Sequence, residues 1–315
     1  VVAAIAGLDA AMPDPARLLV IAHRGASGHR PEHTLEAYRL AIEMGADVIE
    51  PDLAATKDGV LVARHEPEIG GTTDVARKFP DRRNTQAVDG QSVTGWFTTD
   101  FTLAELKTLR ATERLPFRSH AHDGRFEIPT FEEVLELAER EGRRRGRAVA
   151  VYPETKHPSY FRERGVPLEP RLLAALASHG LTRRDDPVFV QSFDPESLKS
   201  LRGETRVRLV QLLEKAVPTD DDLARIAAYA DGIGPDKRLI VPFDAESGAL
   251  RPPTDLVSRA HAAGLFVHAW TMRSDARFLA TEYGGDPGKE YAQFASLGVD
   301  GVFSDFPDDA VKALR

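Results

Sequence analysis

The sequence predicts an α/β fold, a TIM (β/α)8 barrel, on three observations. Eight short runs rich in Val, Ile and Leu recur along the chain, segments of helical period separate them, and 315 residues suffice for one such domain. Strands covered on both faces read as near-continuous apolar runs, which is the pattern here. The runs are Leu18 to Ala22, Asp47 to Asp52, Ala148 to Glu154, Val188 to Gln191, Val207 to Gln211, Ala230 to Ile233, Leu265 to Trp270 and Val299 to Phe303. Helices are expected at Thr34 to Met44, Thr130 to Glu141, Pro170 to Ser178, Pro195 to Leu201, Asp220 to Tyr229, Asp255 to Ala263, Lys289 to Leu297 and Pro307 to Leu314.

The spacing is regular except between the second and third runs, which are much further apart. An insertion is expected there, about residues 66–127, over the mouth of a single barrel domain spanning 17–315. It contains Gly70-Gly71, the charged stretch Arg77 to Arg83, Gly95-Trp96-Phe97 and a short helical stretch from Leu103 to Leu109. Arg143-Arg144-Arg145 reads as a solvated helix end facing the dipole. Residues 1–16 read as an N-terminal segment and linker: Val1 to Ala11 is small and apolar and runs into Met12-Pro13-Asp14-Pro15. The remnant of an export signal is one expectation for it, and a cap helix or chain boundary the other.

With 41 Lys and Arg against 49 Asp and Glu, the net charge is -8, which argues against a sequence-independent nucleic-acid binder. Zero cysteines removes disulfides, thiolate catalysis and thiolate metal sites, and leaves the compartment open. No stretch approaches the ~20 apolar residues of a membrane span, so no stable membrane insertion is expected. Oligomeric state is not legible.

In a barrel the site forms where strands end. The first run ends in His23-Arg24-Gly25, the second in Glu50-Pro51-Asp52, and an extension Val60 to Ala63 leads into Arg64-His65. The third ends in Glu154-Thr155-Lys156. Strand alternation places Glu50 with Asp52, and Tyr152 with Glu154 and Lys156, on common faces. Pro51 and Pro153 are expected to mark where pairing stops. A Glu-x-Asp pair alone is usually a solvated surface pair; position at a strand end turns it into a candidate ligand pair. Oxygen ligands without Cys suit one hard divalent cation, Ca2+ or Mg2+. Such a cation with Arg24 and Lys156 makes a basin for a phosphodiester, and His23 and His65 can exchange protons with the attacking and leaving oxygens. Phe193 and Trp270 offer apolar walls at strand ends. His29, His33, His120, His122, His157, His261 and His268 read as structural, surface or supporting residues.

At these residues the sequence resembles the glycerophosphodiester phosphodiesterase family. His23 to Gly28 with Pro31-Glu32-His33-Thr34-Leu35 resembles the family's opening signature, and Glu50-x-Asp52 with His65 its second block. Tyr152 to Lys156, Gln191 to Asp194, Ala230 to Pro235, Trp270-Thr271-x-Arg273 and Phe303 to Pro307 continue the match in order. The similarity runs from about residue 18 to the C-terminus and looks closest to the bacterial exported, calcium-using branch.

The resemblance implies Glu50, Asp52 and Glu154 as metal ligands and His23 and His65 as general acid and base. It implies Arg24 and Lys156 as phosphate contacts, and Trp270 and Phe193 along the glycerol and leaving-group side. Ca2+ is favoured over Mg2+, and a periplasmic or secreted location over a cytoplasmic one. The implied reaction converts a small glycerophosphodiester to sn-glycerol 3-phosphate and an alcohol. Two departures touch supporting residues: Glu66 follows His65 where the family usually has Asp, and His33 replaces a common Asn. The alternatives are a phospholipase-type diesterase on intact or lyso-lipids, a glycoside hydrolase, and a non-enzymatic metal-binding surface protein. The first would want exposed apolar side chains in the insertion, where Trp96-Phe97 offers a small patch. The second explains the carboxylates without the histidines and cations, and the third would make the histidines dispensable.

Overall fold

The computed structural model describes residues 17–244 and 246–315; the segment 1–16, with its export-signal expectation, lies outside the described residues. The strands in chain order are β1 (Leu19–His23), β2 (Val48–Glu50), β3 (Asp52–Ala55), β4 (Leu61–Ala63), β5 (Asn84–Val88), β6 (Gln91–Gly95), β7 (Ala150–Val151), β8 (Glu154–Thr155), β9 (Phe189–Ser192), β10 (Arg208–Leu213), β11 (Gly232–Pro235), β12 (Phe266–Met272) and β13 (Gly301–Ser304). Pro51 separates β2 from β3, and Tyr152-Pro153 separates β7 from β8, so two barrel positions are each filled by two pieces. Parallel ladders run from β1 to β2, from β2 to β7 and β3 to β8, on through β9 to β13, and from β13 back to β1. The result is a TIM-barrel-like ring.

The prolines do not end pairing as expected. Each lacks an N–H, but its carbonyl still accepts: Glu154 N–H donates to Pro51 O at 2.9 Å and Gln191 N–H to Pro153 O at 3.0 Å. Asp52 and Glu154 consequently sit opposite one another in register.

Alternation along the strands divides the core. Leu19, Ile21, Val48, Ala150, Tyr152, Phe189, Val210 and Phe303 fill the ring. Val20, Ala22 and Val302, one residue out of step, pack outward against the helices. Helices are found at all eight expected places, with shifted ends. Thr34 caps Leu35–Glu43 by accepting from Ala37 N–H, and a Thr130/Glu133 capping box starts Phe131–Arg145. That helix runs past its expected stop at Glu141 because Gly146, at φ 64, supplies the left-handed cap, with the basic triplet as its last turn.

Residues 66–127 carry short elements, among them helices Val75–Lys78 and Leu103–Leu106 and the antiparallel pair β5–β6. The hairpin turns at Asp89-Gly90, both left-handed at φ 46 and 77. The expected Trp96-Phe97 patch is not a surface patch: Phe97 is fully buried, and Trp96 is largely covered and donates its Nε1–H to Phe79 O. Phe117, in the same segment, is the large apolar side chain left exposed there, at 41%. Among the described residues no helix is long and apolar enough to cross a membrane.

His268 lies inside the ring among Tyr152, Phe189 and Phe266, with Nδ1 3.1 Å from the Tyr152 hydroxyl. Burial first, and then Arg208, push its pKa down to about 4 against the opposing pull of Asp300. The folded value lies below the unfolded one, so the unfolded chain takes up the proton first. Stability from this group is complete above about pH 6.5 and is lost as pH falls toward 4, by on the order of 3 kcal/mol. Urea unfolding of His268→Asn across pH 4 to 7 should therefore give a flatter stability profile than wild type; parallel profiles would contradict this assignment.

Candidate active site

The site gathers where β1, β2, β3 and β8 end. Arg24 turns the chain after β1 in a left-handed conformation, φ 61, and its N–H donates to both Glu50 O and Glu50 Oε2, at 3.1 and 2.8 Å. Gly25 must be glycine: at φ 84, a Cβ there would lie 2.7 Å from the Ala37 carbonyl carbon. Glu50, Asp52 and Glu154 are buried, and each offers an oxygen within 4.8 Å of the others.

Each carboxylate is held by a different neighbour. Gln191 Nε2 donates to Glu50 Oε1 at 3.2 Å, and Lys156 Nζ lies 3.0 Å from Glu154 Oε1. Asp52 accepts from His33 Nε2 at 2.9 Å and lies 3.3 Å from Arg24 Nε. Burial raises the Glu50 pKa well above the ordinary carboxylate range, with Asp52 and Glu154 adding to it, and burial raises Glu154 to about 8 despite Lys156. For Asp52, burial is outweighed by His65, the His33 hydrogen bond and Arg24, which hold it well below the ordinary range. An all-oxygen cluster in which two of three members resist ionisation is a donor set that fits a hard divalent cation.

The histidines flank this cluster. His23 Nδ1 lies 2.6 Å from Asp305 Oδ1, and its Nε2 accepts from Arg24 Nε at 3.3 Å. His65 Nδ1 lies 2.7 Å from Glu66 Oε1, and its Nε2 is 3.1 Å from Lys156 Nζ. Glu66 in turn contacts His157 Nε2 at 2.9 Å, and His157 Nδ1 lies 2.6 Å from Asp89. Burial and then Arg24 lower His23 to about 4; burial, Arg24 and Lys156 lower His65 to about 3. Both rings are therefore neutral near pH 7, each with its Nδ1 facing a carboxylate and its Nε2 turned toward the cations.

Eight of the nine predicted site residues line one cavity of about 1550 Å³: His23, Arg24, Glu50, His65, Glu154, Lys156, Phe193 and Trp270. Asp52 lies beneath it, within the cluster but 1% exposed. Arg24 is heavily engaged, its Nη1 donating to both Glu32 oxygens, while Lys156 opens onto the cavity. Phe193 is 39% exposed and meets Trp270 edge to face at 5.7 Å, and Trp270 donates its Nε1–H to Gly234 O. Asp305, Glu32, Gln191, Arg118 and Arg273 join the site beyond those nine residues. The strand-end rule that selected Glu50 and Glu154 also selects Asp305, which follows β13.

A barrel whose strand ends join a buried carboxylate cluster, cationic side chains and two neutral imidazoles defines a hydrolase built for an anionic ester. A family model described as the glycerophosphoryl diester phosphodiesterase family matches residues 23–309, and the chain belongs to that family. It is 38% identical over 314 residues to a glycerophosphodiester phosphodiesterase of Arabidopsis thaliana, covering 91% of this chain and 83% of the relative. It is 33% identical over 336 residues to a glycerophosphodiester phosphodiesterase of Haemophilus influenzae, covering 94% and 90%. The solved phosphodiesterase of Oleispira antarctica, in complex with the product sn-glycerol-3-phosphate, shares the fold at a TM-score of 0.66 and 24% identity, over 94% of this chain and 96% of that one. The glycerophosphodiester phosphodiesterase of Agrobacterium tumefaciens does so at 0.60 and 24%, over 94% and 99%. The enzyme is a phosphoric diester hydrolase acting on glycerophosphodiesters.

His33 is buried at φ 56, accepting from the Tyr38 hydroxyl at Nδ1 (2.7 Å) while donating to Asp52. Ala at this position would forfeit both hydrogen bonds and leave buried Asp52 and the Tyr38 hydroxyl without that partner, destabilising the fold by on the order of 3 kcal/mol. Asn tolerates the conformation and keeps a donor, so His33→Asn should lose less than half as much as His33→Ala in urea unfolding; equal losses would count against the Asp52 contact.

Proposed function

We propose that the enzyme hydrolyses small glycerophosphodiesters to sn-glycerol 3-phosphate and a free alcohol, with one divalent cation and two histidines acting as general acid and base. The single observation that carries the reading is the convergence of Glu50, Asp52 and Glu154 within 4.8 Å, in a cavity that His23 and His65 also line. The product-bound Oleispira enzyme supports the product assignment. On this reading 17–315 is one barrel domain, with an inserted segment of about 66–127 at its mouth.

Glu50, Asp52 and Glu154 would hold the cation, which when bound supplies positive charge for phosphate oxygens and acidifies a nearby hydroxyl. Lys156 and Arg24 face the non-bridging oxygens and stabilise the charge that grows there. Phe193 and Trp270 bound the glycerol and leaving-group side and exclude water from it. One neutral histidine accepts the proton of the glycerol 2-hydroxyl at Nε2 as that oxygen attacks phosphorus. The other, which takes up a proton at Nε2 when the anionic substrate binds, gives that proton from its imidazolium to the departing alcohol, leaving a cyclic phosphate. Water then opens the cycle with the roles exchanged, restoring both rings. The order of motifs supports the exported, calcium-using branch, and with it Ca2+ ahead of Mg2+ and a periplasmic or secreted setting.

The test is release of glycerol 3-phosphate from glycerophosphocholine in a coupled assay. Chelator should abolish it, Ca2+ should restore it better than Mg2+, and His23→Ala or His65→Ala should each lower kcat by about 10²-fold or more. An analogue lacking the 2-hydroxyl should not be turned over; normal turnover would overturn the cyclic route. Chelator-resistant activity would overturn the metal assignment.

A further inference from the structure

Arg118 belongs to the 66–127 segment, far along the chain from His23, yet its side chain is only 5% exposed. Every arm of its guanidinium is occupied. Nε and Nη2 grip both oxygens of Asp275, at 3.3 and 2.6 Å; Nη2 also donates to Asp305 Oδ2 at 2.6 Å, and Nη1 to Ser27 O at 3.2 Å. Ser27 in turn donates its hydroxyl to His23 O at 2.8 Å. Asp305 is thus held at both oxygens: Oδ1 faces His23 Nδ1, and Oδ2 faces Arg118. Arg273 also lies near Oδ2, at 3.2 Å, but its Nε makes no hydrogen bond there.

This matters because an imidazole has two tautomers and a freely turning ring. A carboxylate fixes both only if it cannot itself rotate. With Asp305 ionised, the one proton of neutral His23 sits on Nδ1, and Nε2 is left as the acceptor, taking the Arg24 Nε–H at 3.3 Å beside the cavity that both residues line. A carboxylate anchored through one oxygen can swing away, whereas one anchored through both cannot.

We propose that Arg118 is a positioning residue for His23: through Asp305 it locks the ring in the Nδ1–H tautomer with Nε2 facing the cavity, so that ordering of the mouth segment and readiness of His23 are one event. The proposal rests on the reading of His23 as a proton-transfer group. Asp275 is the outer anchor, since its bidentate grip sets the plane of the guanidinium. On this proposal the 66–127 segment supplies a working part of the site.

The test combines kinetics with ¹⁵N spectra of histidine-labelled protein, His23 being assigned from the His23→Gln spectrum. In wild type, with or without Ca2+, His23 should show one protonated Nδ1 and one unprotonated Nε2. Arg118→Ala should average the two nitrogens and lower kcat by on the order of 10- to 100-fold, with KM near wild type. Should Arg118→Ala fail to fold, Arg118→Lys keeps the charge but cannot bridge Asp275 and Asp305 together, and the same changes are expected in weaker form. Arg125→Ala, which removes an exposed cation from the same segment, should match wild type in both readouts. A folded Arg118→Ala or Arg118→Lys with wild-type kcat and wild-type His23 nitrogens would overturn the proposal. Full activity in His23→Gln would instead overturn the role of His23, and the nitrogen shifts would still decide whether Arg118 sets its tautomer.

Discussion

Three carboxylates buried within 4.8 Å of one another are the constraint to which the rest of the molecule answers. At an effective dielectric of about 20, two such charges repel by on the order of 3 kcal/mol, and burial adds a desolvation penalty for each. A fold tolerates this only by building compensation around it. Arg24 contributes a backbone N–H to Glu50 and a guanidinium beside Asp52, His33 donates to Asp52, and Lys156 sits against Glu154. These partners arrive from the ends of different strands, so the barrel must close in one register for the charges to balance. The Pro51 carbonyl, accepting from Glu154 N–H, keeps that register across the interruption.

The same logic extends outward to the imidazoles. Burial, then Arg24 at both rings and Lys156 at His65, depress the two histidines and leave them uncharged with Nε2 as the acceptor. Each ring is then tethered at Nδ1 by a carboxylate outside the cluster, Asp305 on one side and Glu66 on the other. Those carboxylates are themselves held, Asp305 by Arg118 and Glu66 by His157. Charge alternates from the centre to the rim. Cations and neutral proton carriers line the same cavity as the carboxylate cluster, which suits phosphodiester cleavage.

Much of this was legible in the sequence, and the physical reasons differ by residue. Apolar runs of β-branched residues end abruptly at His23, Glu50 and Glu154, so position and chemistry are read together. His65 follows from the short antiparallel return of β4 beside β3. The depth of Asp52, behind the cavity wall, is not legible because alternation assigns a face and not a distance from solvent. Pairing across Pro51 and Pro153 escaped because a missing N–H is visible in sequence and a retained carbonyl acceptor is not. The β5–β6 hairpin carried its signal in Asp89-Gly90, but its strands are polar and exposed, which blurs their period. Arg118 had none: its partners Asp275 and Asp305 are brought to it by the closure of the ring.

The central claim is that the Glu50, Asp52 and Glu154 cluster is the enzyme's cation site. Diffraction from crystals soaked in Mn2+, recorded at the manganese absorption edge, tests it most directly. The account predicts one anomalous peak flanked by all three carboxylates and lost in a Glu154→Gln crystal. A fully active enzyme with no peak there, or with its peak elsewhere, would contradict it.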